Sequence, residues 1–166
     1  MKIPLFINGS NITLEADPQE SLMKVLHKNG YTSVKSGCDK GYCGSCTILL
    51  NDNPVASCKI PAGLVRDSNI ITLEYFSKTT EYQTIMEGFS KAGIKLCGYC
   101  NAGKIFSAYN ILKLTKIPTR EEIENSIKSL SPCCTDSETL VNGIIYALRI
   151  HNKKTDRITS SKERNH

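Results

Sequence analysis

The sequence predicts an α+β chain in two parts: a small mixed unit of strands with one helix over residues 1–76, then a four-helix bundle over residues 80–151. Short runs with the two-residue period of strands, punctuated by turn residues, fill roughly the first 75 positions. From Thr80 onward the apolar residues instead recur with the period of a helix. This switch, in a chain of 166 residues, favours two small cores over one large one.

The stretch KIPLFINGSNITLE holds two runs, Ile3 to Ile7 and Ile12 to Glu15, on either side of Asn8-Gly9. Asn-Gly between alternating apolar residues is a strong hairpin signal, because both positions adopt positive φ readily. In ADPQESLMKVLHKNG, Asp17 is placed to cap a helix, Pro18 suits its first position and Glu20 the capping box, with Leu22, Val25 and Leu26 on one face and Gly30 at the end. A second hairpin follows in CTILLNDNPVASC, with Asn51-Asp52-Asn53-Pro54 as its turn, and NIITLE supplies a last strand. The economical packing is a small helix across a strongly bent sheet.

In the second part, Ile85, Met86 and Phe89 mark one helix closed by Gly93, and Ile105, Phe106, Tyr109 and Leu112 mark another ending before Pro118. Thr119-Arg120-Glu121-Glu122 is a capping box that opens a third helix bearing Ile123, Ile127 and Leu130. Ser137 to Ile150 is the fourth, with Leu140, Val141, Ile144, Ile145 and Leu148. Short links between four amphipathic helices predict a bundle whose apolar stripes form its core. Residues 152–166 carry five basic and two acidic side chains, three of the five net positive charges, and are expected to be a disordered tail.

Composition narrows the function. The chain is 40% hydrophobic and 22% charged, as ordinary globular proteins are. The opening MKIPLFINGSNITLEADP has no signal-peptide run, and nowhere do about 18 apolar residues run together, so the expectation is a soluble, cytoplasmic protein without a membrane partner. With no Trp and no basic stripe interleaved with aromatics, no nucleic-acid partner is expected. Eight cysteines in a reducing compartment point to metal or redox chemistry rather than a disulfide scaffold. His27, His151 and His166 fall on a helix, at a helix end and at the terminus, where surface or packing roles are expected, and no side chain is expected to act as catalytic acid, base or nucleophile.

The stretch GCDKGYCGSC places Cys38, Cys43 and Cys46 at C-x4-C-x2-C, with Cys58 across the next hairpin. This is the spacing of plant-type 2Fe-2S centres. A cluster with four thiolate ligands is anionic, and Gly37, Gly41 and Gly44 allow the backbone N–H groups to turn toward its sulfurs. Four thiolates also suit zinc, although zinc sites normally use two short knuckles instead of three cysteines in one loop.

A second set, Cys97 and Cys100 at C-x2-C, precedes a helix, and Cys133-Cys134 lie before the last one. In an antiparallel bundle these helix starts share one end, so the four sulfurs can meet. Two thiolates on one tetrahedral metal sit about 3.8 Å apart, taking the zinc–sulfur length of about 2.3 Å as a guide. Adjacent Cα atoms are also about 3.8 Å apart, so neighbouring cysteines can both face inward where the chain is a loop, as Pro132 favours. A disulfide between them would be strained, because the Cα spacing is below about 4.4 Å. A three-cysteine or clusterless bundle is the alternative.

With GCDKGYCGSCTILLNDNPVASC followed by CGYCNAGKIFSAYNIL, residues 1 to 150 resemble the small iron-sulfur subunit of molybdenum hydroxylases, the xanthine dehydrogenase and aldehyde oxidoreductase group. The resemblance implies a β-grasp, ferredoxin-like first domain and a helical second domain, each with a 2Fe-2S cluster. It implies electron transfer from molybdopterin on a large subunit to FAD on a medium subunit, with the bundle cluster nearer molybdenum and the ferredoxin-type cluster nearer FAD. The second motif departs from the family: Leu96 replaces a Gln that contacts the pterin, Asn101-Ala102 replace Thr-Pro, and Pro132-Cys133-Cys134-Thr135-Asp136 replace Cys-x-Cys-Thr-Gly. The alternatives are a stand-alone ferredoxin-like carrier or adaptor with only the first cluster, and a zinc-stabilised interaction module.

Overall fold

The computed structural model describes residues 1–98, 101–130 and 135–164. Strands β1 (Lys2–Ile7), β2 (Ser10–Glu15), β3 (Thr47–Leu50), β4 (Asn53–Ala56) and β5 (Asn69–Ile71) form one sheet in the order β2-β1-β5-β3-β4. Only the β1–β5 pair is parallel; β1–β2, β3–β4 and β3–β5 are antiparallel. Asn8 and Gly9, both at positive φ, join Ile7 to its partner Ser10. Asn51 and Asp52, also at positive φ, join Leu50 to Asn53 in the same way, so Asn53 and Pro54 belong to β4 and not to the turn. Such two-residue turns match the twist of the strands they connect.

Helix α1 (Leu22–Lys28) covers one face of this sheet, packing Leu22, Val25 and Leu26 against Ile3, Leu5, Ile7, Ile48 and Ile70. It starts four residues later than an Asp17 cap implies, with Ser21 at its N-cap. The cause is tertiary. Gly63 and Ala62 donate to the carbonyls of Pro18 and Glu20, and Leu22 donates to Ile60, holding residues 18–22 along the segment that follows β4. Glu20 pairs with Lys28 instead of closing a capping box.

The last strand also ends early. Thr72 N donates to Asn8 Oδ1 at 2.9 Å while Asn8 Nδ2 donates to Thr72 Oγ1 at 3.0 Å, and Thr72 becomes the N-cap of α2 (Leu73–Phe76). Helices α3 (Thr80–Lys91), α4 (Asn101–Leu112), α5 (Arg120–Ile127) and α6 (Ser137–Arg164) enclose a second core around Ile85, Phe89, Ile105, Phe106, Val141 and Ile144. The capping box is present, with Thr119 Oγ1 accepting from Glu122 N and Glu122 Oε2 from Thr119 N.

Beyond His151 the chain is not the expected disordered tail: α6 continues to Arg164. No Gly or Pro interrupts residues 144–164, and Lys154 Nζ donates to Thr84 Oγ1 of α3 at 2.9 Å. No helix among the described residues is long and apolar enough to cross a membrane.

Two features bind the cores together. Period-two alternation sends Ile48 of β3 into the first core and its neighbour Leu49 into the second. At the hairpin tip Asp52 accepts from Tyr109 Oη at 2.8 Å and pairs with Lys113, so α4 is fastened to β3–β4.

Helices α3 and α6 approach closely at Gly88 and Gly143. A Cβ on Gly88 would lie 2.5 Å from Ala147 N and 2.7 Å from the Gly143 carbonyl oxygen, both backbone atoms. Gly88→Ala is therefore expected to push α6 outward and destabilise the chain by about 2 kcal/mol, measurable as a lower urea midpoint. A change within about 0.5 kcal/mol would contradict this packing.

Candidate metal centres

The first cysteine loop runs between α1 and β3 without regular structure, so its N–H groups are free to turn inward. Lys40 N and Cys43 N donate to Cys38 Sγ at 3.3 and 3.4 Å, and Ser45 N donates to Cys43 Sγ at 3.4 Å. Gly37 is required here for space: a Cβ would lie 2.6 Å from Cys43 Sγ and 2.9 Å from Ser45 Oγ. Gly41 and Gly44 have φ of +85° and +81°, in the left-handed region that favours glycine.

The Cys38 thiol interacts with Cys43, and the Cys58 thiol with Cys46 and also with Cys38. Among the described residues no three Cys, His, Asp or Glu side chains surround one point closely enough for a single ion. Two thiolates for each of two irons is what a 2Fe-2S cluster with four cysteines requires. Burial raises Cys38, but N–H groups of Cys43, Lys40 and Tyr42 outweigh it and bring the thiol down to about 6. Cys58 is pushed up to about 12, first by burial and then by the Cys46 thiol. The loop thus offers N–H stabilisation to anionic sulfur at Cys38, while Cys58 beyond β4 is a desolvated, sheltered thiol.

Of the second set, Cys97 is exposed, and Cys100, Cys133, Cys134 and the neighbouring Pro132 lie outside the described residues. Gly98, at φ +83°, donates its N–H to Asn101 Oδ1 at 3.0 Å, which anchors Gly98 to the start of α4. Leu96, the departure from the pterin-contacting Gln, packs against the second core. At the start of α6, Asp136 Oδ1 accepts from Thr139 N at 2.7 Å and Oδ2 from Thr139 Oγ1 at 2.9 Å. These bonds lower the Asp136 carboxyl below its ordinary range, and they give the acid that replaces the family's Gly a capping role.

The first cysteine loop meets the first turn of α4. A Cβ on Gly103 would lie 2.7 Å from Gly44 Cα, and one on Gly44 would lie 3.0 Å from Gly103 Cα, so two backbones touch where side chains would hold them apart. Lys35 Nζ reaches across to the Gly98 carbonyl at 2.6 Å. Neither contact is visible in the sequence, where 59 positions separate the glycines and 63 separate Lys35 from Gly98.

Both halves match family models: residues 5–70 a 2Fe-2S iron-sulfur cluster binding domain, and residues 72–145 a 2Fe-2S binding domain. The chain is 35% identical over 147 residues to the nicotinate dehydrogenase small FeS subunit of Eubacterium barkeri, covering 88% of this chain and 94% of that one. It belongs to the iron-sulfur subunits of the molybdenum hydroxylases. Identity is 32% to the xanthine dehydrogenase iron-sulfur-binding subunit of Escherichia coli O157:H7, over 84% of this chain and 89% of that one. Among solved structures, a chain of quinoline 2-oxidoreductase from Pseudomonas putida 86 superposes with a TM-score of 0.80 at 29% identity, over 92% of this chain and 96% of that chain. Aldehyde oxidoreductase from Desulfovibrio desulfuricans superposes with a TM-score of 0.77 at 29% identity, the match taking up 17% of that longer chain. As a member of this family the chain is an electron-transfer subunit with two 2Fe-2S-binding domains, and its near full-length match to small subunits favours that role over a stand-alone carrier.

Proposed function

We propose that Cys38, Cys43, Cys46 and Cys58 hold one 2Fe-2S cluster, that Cys97, Cys100, Cys133 and Cys134 hold a second, and that the pair relays electrons from molybdopterin on a large subunit to FAD on a medium one. The observation that carries this reading is the three-cysteine loop whose backbone N–H groups donate to the Cys38 and Cys43 sulfurs, in a chain whose two halves both match 2Fe-2S-binding domains. A bound 2Fe-2S cluster accepts and passes on one electron at a time. The chain's own part is to hold the thiolates, donate N–H groups to their sulfurs and keep the first loop against the start of α4.

On this reading residues 1–76 are the β-grasp domain and residues 80–151 a four-helix bundle bearing the second cluster. The complex is a cytoplasmic, xanthine dehydrogenase-like hydroxylase whose substrate, an N-heterocycle, purine or aldehyde, is bound entirely by its partners. Relatives named for nicotinate, xanthine and quinoline support that class.

Co-purification from the native source with molybdopterin-binding and FAD-binding subunits is the expected result, and a monomer without either would contradict it. Cys133→Ser and Cys134→Ser are each expected to abolish the second cluster's EPR signal while sparing the first. If neither alters it, the adjacent pair is not a ligand pair.

A further inference from the structure

Helix α6 turns its apolar side to the second core and leaves a basic side outward. Val141, Ile144, Ala147 and Leu148 are buried, and Lys154 reaches Thr84 of α3. Away from that core, Tyr146, Arg149, Lys153 and Arg157 recur at three- and four-residue spacing, which places them on one face, and all four are exposed. The Arg149 guanidinium lies over the Tyr146 ring, 5.9 Å from its centroid. Arg157 stands about 12 Å further along the helix. Among the described residues none of the three cations has a carboxylate within ion-pair distance.

Two ordinary reasons for basic residues on a helix do not cover this stripe. Cations favoured by the helix dipole sit in the last turn, whereas α6 continues well past Arg157 to Arg164. Solubilising pairs alternate in sign at a spacing of four, whereas Arg149, Lys153 and Arg157 repeat one sign at that spacing, which destabilises the isolated helix. All three also lie beyond residue 145, where the match to the 2Fe-2S binding domain ends. We propose that the face of α6 formed by Tyr146, Arg149, Lys153 and Arg157 docks on an acidic surface of a partner subunit of the hydroxylase complex. An acidic partner relieves the repulsion along the stripe, and the stacked Arg149 and Tyr146 supply an anchor of the residue types that dominate interface energies. The proposal rests on the subunit reading above.

The test uses the complex purified with its molybdopterin-binding and FAD-binding subunits and treated with a zero-length carbodiimide, which joins an amine to a carboxylate in direct contact. Mass spectrometry is expected to find Lys153 joined to an Asp or Glu of one of those subunits. With Lys153→Glu and Arg157→Glu together, retention of the chain by the complex is expected to fall by about tenfold or more at about 0.1 M salt, with iron content and helical circular dichroism unchanged. Lys154, the anchor to Thr84, stays in place. Should that pair fail to fold, Lys153→Gln with Arg157→Gln is read in the same way. Lys153 joined only to its own chain or to a second copy, or variants retained as firmly as wild type, would overturn the proposal and leave the subunit reading intact. Wild-type binding to phosphatidylserine vesicles that the charge reversal abolishes, with assembly unchanged, overturns it as well. A wild-type chain that purifies without either subunit overturns both.

Discussion

Cys43→Ser is expected to abolish the first cluster, taking the iron content from about four to about two per chain and removing one of two EPR signals. Cys43 is held from several sides. Its sulfur accepts from Ser45 N, its N–H donates to Cys38 Sγ, and Gly37 is packed so closely that a single added carbon would lie 2.6 Å from that sulfur. A serine hydroxyl can keep some of these hydrogen bonds but is a far weaker ligand for iron than a thiolate. The loop has no regular structure of its own, so without metal it loses its principal cross-link. Iron analysis and EPR of the variant are the check, and a retained ferredoxin-type signal would refute the ligand assignment.

The second large effect is on stability. Phe106→Ala is expected to cost about 4 kcal/mol, from the lost side chain and the cavity left behind. Phe106 is fully buried in α4, its ring centroid 5.1 Å from that of Phe76, which in turn lies 5.0 Å from Tyr109. This aromatic group links α2, which follows the last strand, to α4, which starts at the second cysteine turn. Loss of Phe106 therefore loosens the seat of α4 against the sheet as well as the second core. A urea midpoint equivalent to less than about 1 kcal/mol of destabilisation would contradict that packing.

What the sequence made legible is what is local. Asn8-Gly9 announces its hairpin because both positions need positive φ, and Thr119 with Glu122 announces a helix start because the two bonds are made within four residues. The first cysteine loop was legible for the same reason, as the spacing of Cys38, Cys43 and Cys46 and the glycines around them lie within one short stretch.

What the sequence did not show depends on distant groups. The start of α1 is set by carbonyls that Ala62 and Gly63 capture, and the end of β5 by the Asn8 side chain, 64 positions away. The continuation of α6 past His151 reverses a reading based on charge alone, because an uninterrupted helix with an anchor at Thr84 outlasts the core beneath it. Contact of Gly44 with Gly103, and of Lys35 with Gly98, follows only once both loops are folded. For the second cysteine set the sequence shows the order of the cysteines, and the structure adds the anchored Gly98 and the packed Leu96.

The central claim is that one chain carries two clusters. It is tested most directly by counting iron and acid-labile sulfide in the anaerobically purified chain and recording EPR spectra after dithionite reduction. The account predicts about four irons, about four sulfides and two distinct signals per chain. Two irons with one signal would contradict it, and would mean that the helical half has kept its fold and lost its cluster.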